Sequence, residues 1–274
     1  MKMIHTVHSV APLDANQCNR SSKHCFRDLE DESPPIETTT DLGMAGDASF
    51  AVVSYLLSSP LLCIVGAPTQ LQVATGHKGK LAARITCTGQ EGHSALAPKA
   101  LNAIYLASDM IQSIRTLQAE IEATETQDGD YNVPYSTLHV GRIEGGTALN
   151  IVPQACSFLF EIRNLSSTRA EEVLARLRSL AQVIIAPYQE RFPQAAIEID
   201  ITNRYPALDT DPTADVVKFV QSLAEQNGTM KVAFGTEGGL FSDVLGLPTV
   251  VCGPGSMDQG HRPDEFLTVD QLQR

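Results

Sequence analysis

Thr236, Glu237 and His261 are the residues of this 274-residue chain whose types and placement could do chemistry together. They lie between Val232 and Phe266, a stretch that reads as two short apolar strands, each ending in a glycine-rich turn. Gly235-Thr236-Glu237-Gly238-Gly239 follows the first strand, and Gly253-Pro254-Gly255-Ser256 through His261-Arg262-Pro263-Asp264-Glu265 follows the second. Glycines permit close backbone approach, while the three side chains offer a hydroxyl, a carboxylate and an imidazole within reach of a common point. Ligand sites of open α/β sheets form at strand ends of this kind.

Composition narrows the partners such a site can have. A length of 274 residues predicts about two domains, and 43% hydrophobic residues is ample for a sizeable core. A formal charge of −12 argues against a nucleic-acid or anionic-membrane partner, which would need clustered Lys and Arg. The six cysteines, Cys18, Cys25, Cys63, Cys87, Cys156 and Cys252, include no CxxC pair, and three fall inside expected apolar strands. Buried free thiols in a reducing compartment account for that. With no apolar run of membrane-spanning length and no signal-peptide core at the N-terminus, a cytoplasmic location is expected.

The elements that must position the site can be read in order. Residues 1–40 are polar and irregular and are expected to form a mobile arm; His5, His8, His24 and Cys25 have no partner pair at ligand spacing. The apolar run Ala48 to Leu57 predicts a buried helical turn or two, and Leu61 to Val65 a buried strand stopping at Gly66. Turn chemistry then recurs at Thr75-Gly76-His77-Lys78-Gly79.

From Leu81 the texture changes. Leu81, Ala83, Ile85 and Cys87 alternate with Arg84, Thr86 and Thr88, the period of a half-buried strand. A glycine turn carries His93, and a helix is expected to begin at Pro98 with Leu101, Ile104, Ser108, Ile111 and Ile114 on one face through Gln118. Glu120 to Asn132 reads as a polar loop. Strands follow at Thr137–Ile143 and Ala155–Arg163, the latter with Arg163 pointing away from the core. Thr168 to Glu171 has the spacing of a capping box for a helix carrying Val173, Leu177, Leu180 and Ile184 up to Pro187, and a last strand alternates Ala195, Ile197, Ile199 and Ile201. The order strand, helix, strand, strand, helix, strand is the ferredoxin-like pattern. Asp211 and Pro212 then start a helix with Val216, Val217, Val220 and Leu223, ended by Gly228. The fold class expected is therefore α/β. A catalytic-type α/β domain (41–79 and 203–274) is interrupted by a ferredoxin-like βαββαβ lid (80–202).

Several runs resemble the dinuclear-zinc amide hydrolases of the aminoacylase/carboxypeptidase family, from about Leu61 to the C-terminus. They are Gly66-Ala67-Pro68-Thr69, His77-Lys78-Gly79, Gly92-His93-Ser94, Asn102-Ala103-Ile104, Gly145-Gly146-Thr147 through Asn150-Ile151-Val152-Pro153, and Gly235-Thr236-Glu237-Gly238-Gly239. Cys252 through Phe266 looks most like the acetylornithine deacetylase branch, which implies hydrolysis of N-acetyl-L-ornithine to L-ornithine and acetate. The resemblance implies a small N-acyl amino acid as substrate, zinc or cobalt as cofactor, and a homodimer formed through the lid. It implies His261 as a metal ligand and His93 as a catalytic donor reaching the partner subunit's site, where a preorganised donor would stabilise the oxyanion of a tetrahedral intermediate. It also implies substrate contacts from Asn150, Arg163, Thr236, Glu237 and Gly238, with Arg163 suited to a carboxylate.

The metal side of that pattern is thin. Family chemistry needs a metal-activated water, a carboxylate base and a bridged metal pair. The sequence offers no His-x-Asp strand end and no Glu-Glu pair, and Ala67 stands where the family's Gly-Glu-Pro-Thr turn puts a metal-binding glutamate. Asp41 to Gly46 resembles the family's Asp-Met-Lys-Gly turn only faintly. Two readings follow: an impaired or inactive hydrolase, or a module that dimerises through the lid and binds an amino acid without catalysis. Both predict that the strands Leu61–Val65 and Thr249–Cys252 are left as uncovered edges, with poor solubility or a low melting temperature.

Overall fold

The structure, a computed structural model, describes residues 61–260 and 263–273, together with the backbone of His5–Val7. The turn at Asp41 to Gly46, the apolar run Ala48 to Leu57 and both His261 and Arg262 lie outside the described residues.

Two sheets divide the molecule. The first contains β1 (His5–Val7), β2 (Cys63–Gly66), β3 (Val73–His77), β10 (Leu208–Asp209), β11 (Thr229–Val232) and β12 (Thr249–Val251), ordered β1-β2-β12-β3-β10 with β11 also on β3. The β1-β2, β2-β12 and β3-β11 pairs are parallel. The second is antiparallel, from β4 (Gly79–Thr88), β6 (Thr137–Gly145), β8 (Ala155–Asn164) and β9 (Ala196–Tyr205) in the order β6-β8-β4-β9. β5 (Gly92–His93) and β7 (Ile151–Val152) form a separate ribbon.

In the antiparallel sheet the sequence period becomes packing. Leu81, Ala83, Ile85 and Cys87 of β4 and Cys156, Phe158, Phe160 and Ile162 of β8 are all buried, facing α1 (Ala103–Thr124) and α2 (Ala170–Gln189) in one continuous core. Each fully buried Leu, Ile or Phe contributes about 1.5–3 kcal/mol of transfer free energy, so this unit carries a core of its own. Its chain order, β4-α1-β6-β8-α2-β9, and its strand order are ferredoxin-like.

Several element boundaries differ from expectation. Pro98 sits in a 3-10 turn, Ser94–Lys99, and α1 starts five residues later, where the Asn102 side chain accepts from the Ile104 N–H at 2.9 Å. The buried stripe of α1 is Ala103, Leu106, Ala107, Met110, Ile114, Leu117 and Ile121, while Ile104 and Ser108 face solvent. The helix also continues through Thr124, into the stretch expected as loop. α2 includes Pro187, and its N-cap residue Arg169 makes no side-chain cap bond; Thr168 bonds Glu125 instead. α3 (Asp215–Ala224) begins after an Asx turn in which Asp211 accepts from Thr213, and it ends at the left-handed Glu225 rather than Gly228.

The parallel-rich sheet is thinner. One small cluster joins Cys63, Val65, Ala74, Leu208, Val232, Phe241 and Val251, and another joins Val73, Val216, Val217, Val220 and Val250. The two strands expected as uncovered edges are not edges. β2 lies between β1 and β12, and β12 lies between β2 and β3, with Thr249, Val250 and Val251 all buried. Of the run Thr75 to Gly79, expected as turn chemistry, Thr75, Gly76 and His77 belong to the fully buried strand Val73–His77.

Candidate active site at the seam between the sheets

The chain leaves the first sheet at Lys78, between β3 and β4, and returns at Pro206-Ala207, between β9 and β10. The residues flanking these crossings converge. Lys80 pairs with Arg163 on one side and Tyr205 on the other, which places all three in one row across the face opposite the helices. Arg163 reaches over Lys80 so that its Nη1 donates to the Tyr205 hydroxyl at 2.7 Å, while Nε and Nη2 donate to the two carboxylate oxygens of Glu161 at 3.2 and 3.3 Å.

The Tyr205 ring closes on the glycine-rich turn that precedes α4 (Gly238–Asp243). A Cβ at Gly235 would lie 2.1 Å from Tyr205, and one at Gly239 would lie 2.2 Å from the Pro206 carbonyl oxygen. Only glycine admits these approaches. Within the turn the Thr236 hydroxyl accepts from the Gly238 N–H at 3.0 Å, and Glu237 stands exposed beside buried Gly238 and Gly239. Burial pushes the Tyr205 phenol pKa up, with Arg163 opposing and Glu237 reinforcing the shift.

His77 ties the turn to the first crossing. Its Nδ1 donates to the Lys78 carbonyl at 3.0 Å, and its Nε2 accepts from the Gly239 N–H at 3.2 Å, since an amide can only donate. Both ring nitrogens are spent in the neutral tautomer. Burial lowers the pKa to about 4, with the Lys78 bond working the other way. The imidazole edge faces Tyr205 at 6.3 Å between centroids.

On the flank of the seam Lys231 donates to Asp128 at 2.7 Å and to Asp209 at 2.8 Å, bridging the α1–β6 loop to the first sheet. The Tyr131 ring has two ammonium neighbours, Lys78 at 5.6 Å and Lys231 at 5.5 Å from its centroid. Burial works against the Lys231 charge, but the two carboxylate bonds outweigh it and hold its pKa above the ordinary value.

The remaining expected residues are elsewhere. His93 pairs with Ile151 in the β5-β7 ribbon; its Nδ1 accepts from the Ala95 N–H at 3.1 Å, which leaves Nε2–H of the neutral ring as an exposed donor. The Asn150 carbonyl accepts from the Ser94 N–H at 2.9 Å, joining it to the same ribbon. That ribbon adjoins the Ala155 end of β8, whereas Arg163 is at the other end. Eight steps of strand put about 26 Å between these ends. So the fold gathers Arg163, Thr236, Glu237 and Gly238, and holds His93 and Asn150 apart from them within one chain.

The residues described do not fit a dinuclear metal centre. Among them, no group of three or more His, Cys, Asp or Glu side chains could hold a metal ion. Ala67, at the end of β2, brings a methyl group to the turn, and its backbone packs against Gly253, where a Cβ would lie 2.6 Å from the Ala67 oxygen.

Residues 75–189 match the peptidase dimerisation domain of the M20 family. The chain is 34% identical over 227 residues to an acetylornithine deacetylase of Shigella sonnei, covering 83% of this chain. This chain belongs to the M20 peptidase/aminoacylase family. It spans only 57% of the Shigella protein's length. A similar fold is seen in a Staphylococcus aureus tripeptidase, with a TM-score of 0.61 at 19% identity, covering 80% of this chain and 55% of that one. The aminopeptidase PepT of Bacillus cereus gives a TM-score of 0.55 at 19% identity, covering 77% and 54%. The inserted ferredoxin-like unit is the dimerisation region of the M20 architecture.

Two functional candidates at this M20 seam, His77 and Tyr205, escaped the sequence reading. The signal that could have found His77 is its place before Lys78-Gly79, one of the runs that carry the family resemblance.

Proposed function

We propose that the chain is a hydrolase-family protein of the acetylornithine deacetylase type that recognises the carboxylate of an N-acyl amino acid at the seam. Its nominal reaction is N-acetyl-L-ornithine and water to L-ornithine and acetate. The observation that carries this reading is the convergence of Arg163 and the Gly235–Gly239 turn on Tyr205. Arg163 keeps unshared N–H groups on Nη1 and Nη2 after its bonds to Tyr205 and Glu161, a planar pair of donors suited to a carboxylate. Thr236, Glu237 and Gly238 line the approach, and His93 with Asn150 serves a partner subunit's site in trans. The exposed Nε2–H of His93 has the donor character that an oxyanion needs.

Zinc, or cobalt in its place, is the family's cofactor, and His261 is proposed as one ligand. Because the described donor set does not complete a centre, the chain alone is proposed to turn over slowly or not at all. Incubating metal-loaded protein with N-acetyl-L-ornithine and following ornithine release tests this. Trace or absent release is expected, and robust turnover would refute it.

A second reading, favoured by the match over the dimerisation region, is a non-catalytic module that dimerises and binds an amino acid. Sedimentation analysis separates the readings cheaply, because a strict monomer removes both the dimer and the role of His93 in trans. Arginine biosynthesis and a cytoplasmic location go with the deacetylase reading. So does the division into residues 1–40 as an arm, 41–79 with 203–274 as the catalytic-type part and 80–202 as the lid. No described helix is long and apolar enough to cross a membrane.

A further inference from the structure

The Arg163 guanidinium has more than one orientation open to it on a half-buried sheet face, and something must choose between them. Glu161 takes the Nε/Nη2 edge, two residues away on the same strand. That contact fixes the planar guanidinium only relative to a side chain of its own strand. Tyr205 is different. It sits two strands over, on β9, at the last residue before the chain crosses back to the first sheet, and its hydroxyl makes the shortest of the three Arg163 bonds, 2.7 Å. Its ring is wedged between Gly235, where no Cβ fits, and the edge of His77, which in turn bonds the Gly239 amide. The aim of Arg163 is thereby referenced to the glycine turn of the other sheet.

We infer that Tyr205 is the positioning residue for carboxylate recognition: its hydroxyl aims the outer Nη1/Nη2 edge of Arg163, and its ring ties that aim to the Gly235–Gly239 turn. The inference rests on the assignment of Arg163 to the substrate carboxylate. Tyr205 touches no substrate in this account and acts through Arg163. The phenol suits the task because it accepts from Arg163 without adding a charge that would compete with the ligand. Replacing it by a carboxylate would neutralise the site, and replacing it by phenylalanine keeps the wedge and removes only the bond.

Tyr205→Phe in the full chain separates positioning from structure. The nitrogen-15 spectrum of the arginine side chain reports rotation about the Cζ–Nη1 bond of Arg163, assigned by its loss in Arg163→Lys. Restricted, resolved Nη1 signals are expected in the wild type and averaged signals in Tyr205→Phe, with an unchanged melting temperature. Calorimetric titration with N-acetyl-L-ornithine and with its carboxamide analogue is run on both proteins. The variant should lose tenfold or more in its preference for the carboxylate. Nη1 signals equally restricted in Tyr205→Phe would overturn the inference whatever the titration gives. If the signals average in the variant but the wild type does not distinguish carboxylate from carboxamide, Tyr205 still aims Arg163 and it is the substrate role of Arg163 that fails.

Discussion

The ferredoxin-like lid and the parallel-rich sheet are built on different terms. In the lid, two helices cover one face of four long strands and a single core runs from Leu81 to Ile197. In the other sheet, strands of two to five residues share two small clusters. What that sheet lacks in core it recovers through polar bonds, from His77 and Lys231 at the seam and, beyond the Val73 end of β3, from interlocked turns in which Thr69 accepts from the Gly253 N–H and Gln70 donates to the Gly255 carbonyl. The lid is held by burial, whereas the parallel-rich sheet is held in large part by specific polar bonds, and the candidate site draws Arg163 and Tyr205 from the first and the Gly235–Gly239 turn from the second.

The sharpest way to break this contrast is a truncation in the lid core. Phe158→Ala should cost about 3–5 kcal/mol in chemical denaturation. The smaller Val250→Ala, in the thinner sheet, should cost clearly less; equal losses would mean the two regions do not differ as described. Next in size is the pH response of the seam. His77 is neutral in the fold, with a pKa lowered from 6.5 to about 4, so the unfolded chain binds the extra proton first as pH falls. Its contribution, on the order of 3 kcal/mol, is present above pH 6.5 and lost as pH falls from there through about 4. His77→Gln should flatten the stability curve in that window, whereas an unchanged slope would show that another group carries it.

These elements also show what was legible in the sequence. β4 and β8 could be read because helices cover one face only, so burial alternates residue by residue. β3 could not, because all five of its residues are buried and a Thr-Gly-His run without alternation looks like a turn. The phase of α1 was misjudged because two apolar stripes compete, one through Ile104 and Ile111 and one through Leu106 and Met110. Asn102, not Pro98, decides where the helix starts. At the site, the glycine turn and Arg163 were visible as types and spacings. Their meeting was not, since Arg163 and Tyr205 are 42 residues apart and become neighbours only through strand register on either side of Lys80.

A smaller effect is expected at the flank. Lys231→Met leaves Asp128 and Asp209 without their shared cation and should cost about 1.5–3 kcal/mol, the range for hydrogen bonds to charged groups. Hydrogen exchange should then quicken in the α1–β6 loop while the lid core stays protected. Exchange rising equally in β4 and β8 would show that Lys231 supports the lid itself rather than its attachment. Smallest of all, Asn102→Ala should cost about 1 kcal/mol through loss of the α1 cap. A melting temperature indistinguishable from wild type would show that the 3-10 turn before it suffices.

The described residues gather the proposed substrate side of a site without completing a metal centre among themselves. Elemental analysis of purified protein, dialysed against zinc and then against buffer, tests it most directly. The account predicts well under stoichiometric zinc, and about two zinc ions per chain, as a two-metal hydrolase would hold, would contradict it.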